Sequence, residues 1–348
     1  MGFMATTQKL HQVFNFALAG SLLALGACSR SDPAGESGAA VPQTRDISTS
    51  AAALGSKSDA LRELGVIGAL ANQVAGGGAA WNSGNADAQR VRPWAFNGGE
   101  RAQSSGTDAS QGACPGGGSF TSEDSSASRS YALFGGESAD TAQSKSSEIN
   151  CKSAWPQKAG VAQSLSLNGL LESGASPSLS YGLAGNGSEP YTELYEKKDG
   201  SGKLVDSIKL AYRGLSEVKA PQGGTLDARA IYAYRYARSG GDFFSADVGS
   251  AGAPFKVEQG DLLRVSGPYG YASKSCGGGN SSVNTVDGLA FDGSGEQIVA
   301  GTLEVVSGAK KAVFRFKPDG GADLDLNGAT QAISASELRA AINPANPC

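Results

Sequence analysis

The sequence predicts a mainly β protein: an antiparallel meander forming a curved sheet, a sandwich or a partly open barrel, with one short helix before it and a small helix at its end. Three observations carry this. From Cys114 onward apolar and polar residues alternate, as in "SRSYALF" (128–134), "ARAIYAYRYA" (228–237) and "KKAVFRFKP" (310–318). Side chains on a strand point to opposite faces in turn, so a half-buried strand writes itself with period two. Between the runs stand Gly and Asp-Gly breaks, "DGSGK" at 199–203, "DGSGE" at 292–296 and "PDGG" at 318–321. Such breaks close hairpins and make the flanking strands antiparallel neighbours. No segment of helical period and length separates the runs, which argues against a parallel βαβ sheet.

The remaining elements follow in chain order. Residues 13–25, "VFNFALAGSLLAL", are apolar apart from Asn15 and Ser21 and follow a short start that carries Lys9. The run is shorter than the ~20 residues a spanning helix needs and matches a secretory signal peptide. Residues 28–57 are rich in Ser, Ala, Gly and Thr and read as a flexible tether. Residues 58–75 repeat apolar side chains at Leu61, Leu64, Ile67, Ala71 and Val74. They predict a short amphipathic helix capped by Ser58 and stopped by Gly76 to Gly78. Residues 76–112 form a Gly/Ser-rich linker with an apolar island, "VRPWAF" at 91–96, and residues 113–348 are the β-rich domain. Near its end "SASELRAAINP" (334–344) predicts a helix with Ser334 and Glu337 as a capping box and Pro344 as its stop.

Leu25-Gly26-Ala27-Cys28 closes the apolar run and resembles the lipobox of bacterial lipoproteins. The resemblance implies cleavage before Cys28 and acylation of its sulfur, a membrane anchor stronger than one acyl chain gives. Ser29, in place of the Asp associated with inner-membrane retention, implies the outer membrane, with the protein facing the periplasm or the cell surface. The β-domain also resembles uncharacterised proteobacterial outer-membrane lipoproteins. Cys114, Cys151, Leu167-Asn168-Gly169 and the closing run 301–328 carry that likeness, which implies fold class and location but no activity.

Cleavage at this point removes Lys9 and no acid, so the net charge moves from −4 to −5. A nucleic-acid partner asks for a strongly basic face, which this balance does not supply. His11 is the only histidine and also leaves with the signal peptide. Ser-His-Asp catalysis, a Cys-His pair and histidine metal sites are thereby excluded from the mature chain.

Acylation of Cys28 leaves Cys114, Cys151, Cys276 and Cys348, an even set that allows three pairings. Cys114–Cys151 with Cys276–Cys348 is the favoured one, because each bridge closes a loose loop or tail; a zinc site lacks the Cys-x-x-Cys spacing.

Tyr232, Tyr234 and Tyr236 share one strand face and are a candidate binding patch for a glycan or peptide, which Tyr269 and Tyr271 would extend. The alternative is a cross-strand ladder or part of the core. Asp323, Asp325 and Asn327 match the first half of a calcium loop, making Ca²⁺ the one cofactor to consider, although Ser334 stands where a bidentate Glu belongs. The alternative is a strand with Leu324 and Leu326 inward. Two S-x-x-K matches, at Ser216 and Ser307, fall at strand ends or turns and read as chance. No catalytic residue is assigned.

The expected function is a lipid-anchored envelope protein of non-enzymatic structural or binding role, attached to the membrane through its lipid and meeting an envelope protein, glycan or lipid partner. The alternatives are a carrier or sensor of an apolar ligand and a carboxylate-based glycan hydrolase.

Overall fold

The computed structural model describes residues 46–75 except 48, and 108–342 except 115, 155–161, 187, 221–224 and 294–296. Among the described residues two α-helices, α1 (Lys57–Ala75) and α2 (Ala335–Ile342), flank sixteen strands. The first eight strands are β1 (Asp108–Ala113), β2 (Ser119–Tyr131), β3 (Glu137–Ala154), β4 (Ala162–Ala175), β5 (Leu179–Ala184), β6 (Tyr191–Lys198), β7 (Leu204–Lys219) and β8 (Leu226–Arg238). The second eight are β9 (Phe243–Val248), β10 (Phe255–Gln259), β11 (Leu263–Ser273), β12 (Gly277–Phe291), β13 (Ile298–Ser307), β14 (Lys310–Phe316), β15 (Ala322–Leu326) and β16 (Ala329–Ile333). All sixteen belong to one antiparallel sheet, ordered as a meander.

The meander is interrupted twice in the same way. β4 and β7 each pair with β6 over one half and β5 over the other, so β5 and β6 are one strand broken by a loop at 185–190. β9 and β10 stand likewise between β8 and β11, broken at 249–254. Both loops begin on a glycine of positive φ, Gly185 and Gly249, and end in proline followed by an aromatic, Pro190-Tyr191 and Pro254-Phe255. Each closes on itself by a bridge, Asn186 to Glu189 and Ser250 to Ala253. A positive φ is inexpensive only for glycine.

The sheet curves around α1. The helix contacts the neighbouring strands β8 and β10 and also β15, which stands five places beyond β10 in the strand order. Cross-strand pairs share a face, and one inward row runs Tyr191, Tyr212, Tyr234, Ala246, Tyr271. With α1 it forms the main core, together with Val283, Leu303, Val305, Phe314 and Leu324. A second small core joins Tyr131, Leu179 and Tyr181. Strands β2 and β3 are otherwise polar on both faces, with only Tyr131 and Thr141 buried among their described side chains.

Several local expectations meet the structure here. Helix α1 is buried around most of its circumference, Ala60, Glu63, Leu64, Val66, Ile67, Leu70, Ala71 and Val74 included, because sheet lies on more than one side of it. Its cap is Ser56 rather than Ser58: the Asp59 amide donates to Ser56 Oγ at 3.2 Å and the Ser56 amide donates to Asp59 Oδ2 at 3.0 Å. Residues 51–54, read as the end of the tether, pack on the domain, with Ala52 donating to the Asn280 carbonyl and Leu54 fully buried. A Cβ on Gly279 would lie 2.4 Å from the Ala52 nitrogen, so the glycine run after Cys276 admits a neighbouring backbone. The α2 capping box forms, with reciprocal bonds between Ser334 and Glu337. The signal peptide, Cys28, most of the tether and nearly all of the linker lie outside the described residues.

Candidate functional site

Strand β6 reads Tyr191-Thr192-Glu193-Leu194-Tyr195, so Tyr191, Glu193 and Tyr195 share its inward face. Opposite them on β7 stand Tyr212, Leu210 and Ile208, and beyond these on β8 Tyr234, Tyr236 and Arg238. The rings of Tyr191 and Tyr212 stack at 6.4 Å, those of Tyr212 and Tyr234 at 5.4 Å, and Phe244 continues the ladder. On the other side Leu167 of β4 faces Glu193.

A second carboxylate reaches this place from β3. Glu148 pairs with Gly169, whose φ is +117° and where a Cβ would lie 2.8 Å from the Tyr191 Cα. The missing side chain lets β4 close on Tyr191 beside Glu148. Just past Glu148 the β3–β4 register shifts, Asn150 takes a φ of 48°, and Cys151 is bridged to Cys114. The disulfide therefore pins the β1–β2 connection to the irregularity that carries Glu148.

The electrostatics of the pair are unusual. Burial, opposed by a hydrogen bond from Tyr195 and reinforced by the charge of Glu148, pushes the Glu193 carboxyl up to about 7. The Tyr195 hydroxyl donates to Glu193 Oε2 at 2.6 Å. Burial likewise raises Glu148, whose Oε2 is buried without a hydrogen-bond partner. The Tyr212 hydroxyl is also buried and unpartnered; burial, then the charge of Glu193, raises it well above the usual tyrosine value. Among the described residues neither acid has an ion-pair partner within 4.0 Å. Glu148, Glu193, Tyr195 and Leu167 are half-buried, whereas Tyr191, Tyr212, Leu210 and Tyr234 are buried beneath them. The cluster has an acidic rim and a tyrosine floor. Buried polar groups normally carry hydrogen bonds, so two orphaned acceptors at one place mark it out.

A third carboxylate serves a different end. Glu63, on α1, is fully buried and accepts hydrogen bonds from the Tyr269 and Tyr271 hydroxyls at 2.6 Å each. Arg62 donates to the Tyr271 oxygen and pairs with Asp59 at 2.7 Å. This cluster fastens the inner helix to β11.

The tyrosine patch is corrected. Tyr232, Tyr234 and Tyr236 are 6–7% exposed, and Tyr269 and Tyr271 are buried as well. All lie on the inward face, so the ladder or core alternative holds and no surface patch exists there. The calcium candidates occupy β15 and the turn after it. Leu324 and Leu326 point inward, Asp323 pairs with Lys317 at 2.9 Å, and Asp325 accepts from the Gly328 amide. Asn327 accepts from the Lys311 amide. Their oxygens serve a strand and a tight turn. Cys114 and Cys151 are bridged as favoured; Cys276 is disulfide-bonded too, to a partner outside the described residues, where Cys348 also lies. Ser307 donates to the Ala52 carbonyl at 2.8 Å, a structural role for one of the two S-x-x-K serines.

Glu148, Glu193 and Glu63 were not singled out from the sequence. The signal for Glu193 is an acid standing between two tyrosines at alternate positions. Glu148 has none, because its place depends on the β3–β4 register. Among the described residues no helix is long and apolar enough to cross a membrane. Set against family models, curated proteins and solved structures, the chain gives no match.

Proposed function

We propose that the protein is a lipid-anchored envelope protein with a non-enzymatic binding role, held in the outer membrane through Cys28. The observation that supports binding is the cluster of Glu148 and Glu193 above Tyr191 and Tyr212, with two buried acceptors left without partners. Burying like charges together opposes folding, and such arrangements concentrate at functional places. An apolar ligand held in the concave face of the sheet is less well supported, because α1 already occupies that face against β8, β10 and β15.

The anchor is tested by feeding cells an alkyne-tagged palmitate and fractionating the envelope. The wild type should take up the label and sediment with outer membrane, while Cys28→Ser should lose both properties. An unlabelled wild type, or a Cys28→Ser protein still in the membrane, overturns the anchor. The binding role is tested by native mass spectrometry of the full chain extracted gently in detergent. A small-molecule adduct absent from Glu193→Gln is expected; bare protein in both overturns it.

A further inference from the structure

We propose that Glu148, Glu193 and Tyr212, walled by Tyr191 and Tyr195, form a binding site for a primary ammonium group. This rests on the binding role above and names its ligand class.

A ligand for this place has to answer three features together. It must bring positive charge, since two acids meet here without a described cation. It must donate hydrogen bonds, since Glu148 Oε2 and the Tyr212 hydroxyl oxygen are buried acceptors without partners. It must tolerate aromatic walls, because the Tyr191 and Tyr212 rings line the floor. A primary ammonium has three donors on a compact charge. Glu148, Glu193 and Tyr212 supply three acceptors, and tyrosine faces attract cations in a desolvated place. Calcium suits the cluster poorly, since it takes 6–8 oxygen ligands and gains nothing from ring faces. A quaternary ammonium matches the rings and the charge but leaves both orphaned acceptors unused.

The groups facing Glu193 are Glu148 from β3, Tyr191 and Tyr195 from its own strand, Tyr212 from β7 and Tyr234 from β8; β4 presents Leu167. Burial raises both acids above the ordinary carboxylate range, Glu193 to about 7. Tyr191, Tyr212 and Tyr234 are raised above the ordinary tyrosine value and stay neutral. Ammonium binding requires the ionised carboxylate, so each binding event expels the proton that Glu193 retains below about pH 7. Affinity then rises about tenfold per pH unit below that point and levels off above it.

The test is isothermal titration calorimetry on the full chain in detergent micelles, at pH 5, 6, 7 and 8, with ethanolamine and tetramethylammonium as probes. Ethanolamine should bind more tightly than tetramethylammonium, with the stated rise in affinity to pH 7. Glu193→Gln should weaken it at least tenfold and flatten the pH profile. Tyr212→Phe should weaken it about fivefold, the worth of one hydrogen bond, with no loss of thermal stability. Co-sedimentation with phosphatidylethanolamine against phosphatidylglycerol vesicles distinguishes a lipid headgroup from a free amine. Absence of ethanolamine binding at pH 8, equal affinity for the two probes, or unchanged binding by Glu193→Gln overturns the proposal. If an adduct that depends on Glu193 still co-purifies, only the ligand class fails; if none does, the binding role fails with it. Glutamate-dependent release of reducing ends from envelope glycan would overturn it in favour of hydrolysis.

Discussion

Replacing Glu193 by Gln should make the protein more stable at pH 8 and leave it unchanged at pH 4. Burial and the neighbouring charge of Glu148 raise the Glu193 carboxyl from 4.5 to about 7 in the folded chain. The folded state therefore holds this proton more tightly than the unfolded state does. Between about pH 4.5 and 7 the native protein binds more protons, so this group's contribution to stability falls as pH rises through that window. A displacement of this size corresponds to about 3 kcal/mol at 1.36 kcal/mol per pH unit, fully lost above pH 7. Glutamine has nearly the same shape and no charge at any pH, so the variant escapes the loss. Urea unfolding of both proteins at pH 4, 6 and 8, with disulfides intact, measures the difference. Coincident curves at pH 4 and a gain of up to about 3 kcal/mol for the variant at pH 8 are expected. A variant equally or less stable than the wild type at pH 8 would refute the reasoning and place Glu193 in water or beside a cation.

Other outcomes follow from the same geometry. Glu63→Ala leaves two tyrosine hydroxyls without their acceptor in the core and should cost about 3–5 kcal/mol in chemical denaturation. Combining Glu63→Leu with Tyr269→Phe and Tyr271→Phe should recover most of it, and a loss below about 1 kcal/mol for Glu63→Ala would contradict the role assigned to this lock. Cys114→Ser with Cys151→Ser opens a loop with a sequence separation of 37 residues. It should cost about 3–4 kcal/mol, read as a lowered urea midpoint. At Gly214 the φ is +129° and a Cβ would lie 2.2 Å from the Ile231 carbonyl oxygen. Gly214→Ala should yield protein that proteases degrade rapidly; near wild-type resistance would show that the chain relaxes there at little cost.

The legible part of the fold was the part written in local pattern. Alternation and Asp-Gly breaks announced antiparallel strands, and the reciprocal Ser334–Glu337 cap was visible because both partners lie within one helical turn. The alternation in β8 identified two faces but not which one is inside. Tyr232, Tyr234 and Tyr236 are buried because the sheet curls toward them and α1 covers them, a property of strands up to a hundred residues away. Helix α1 shows the same limit. Its apolar stripe predicted one docked face, and only the wrapped sheet buries Glu63 as well.

The sequence by itself determined the strand content, the hairpin order and the two helices, because each depends on neighbours along the chain, and it favoured the Cys114–Cys151 bridge among three possible pairings. It also determined what the mature chain lacks if cleaved before Cys28: histidine, and with it much of the common catalytic repertoire. The tertiary structure alone decided where charge is buried. Glu148 and Glu193 meet because a glycine at 169 and a shifted register let Glu148 of β3 reach across β4 toward β6, and the titration of a carboxyl is set by what surrounds it rather than by what precedes it.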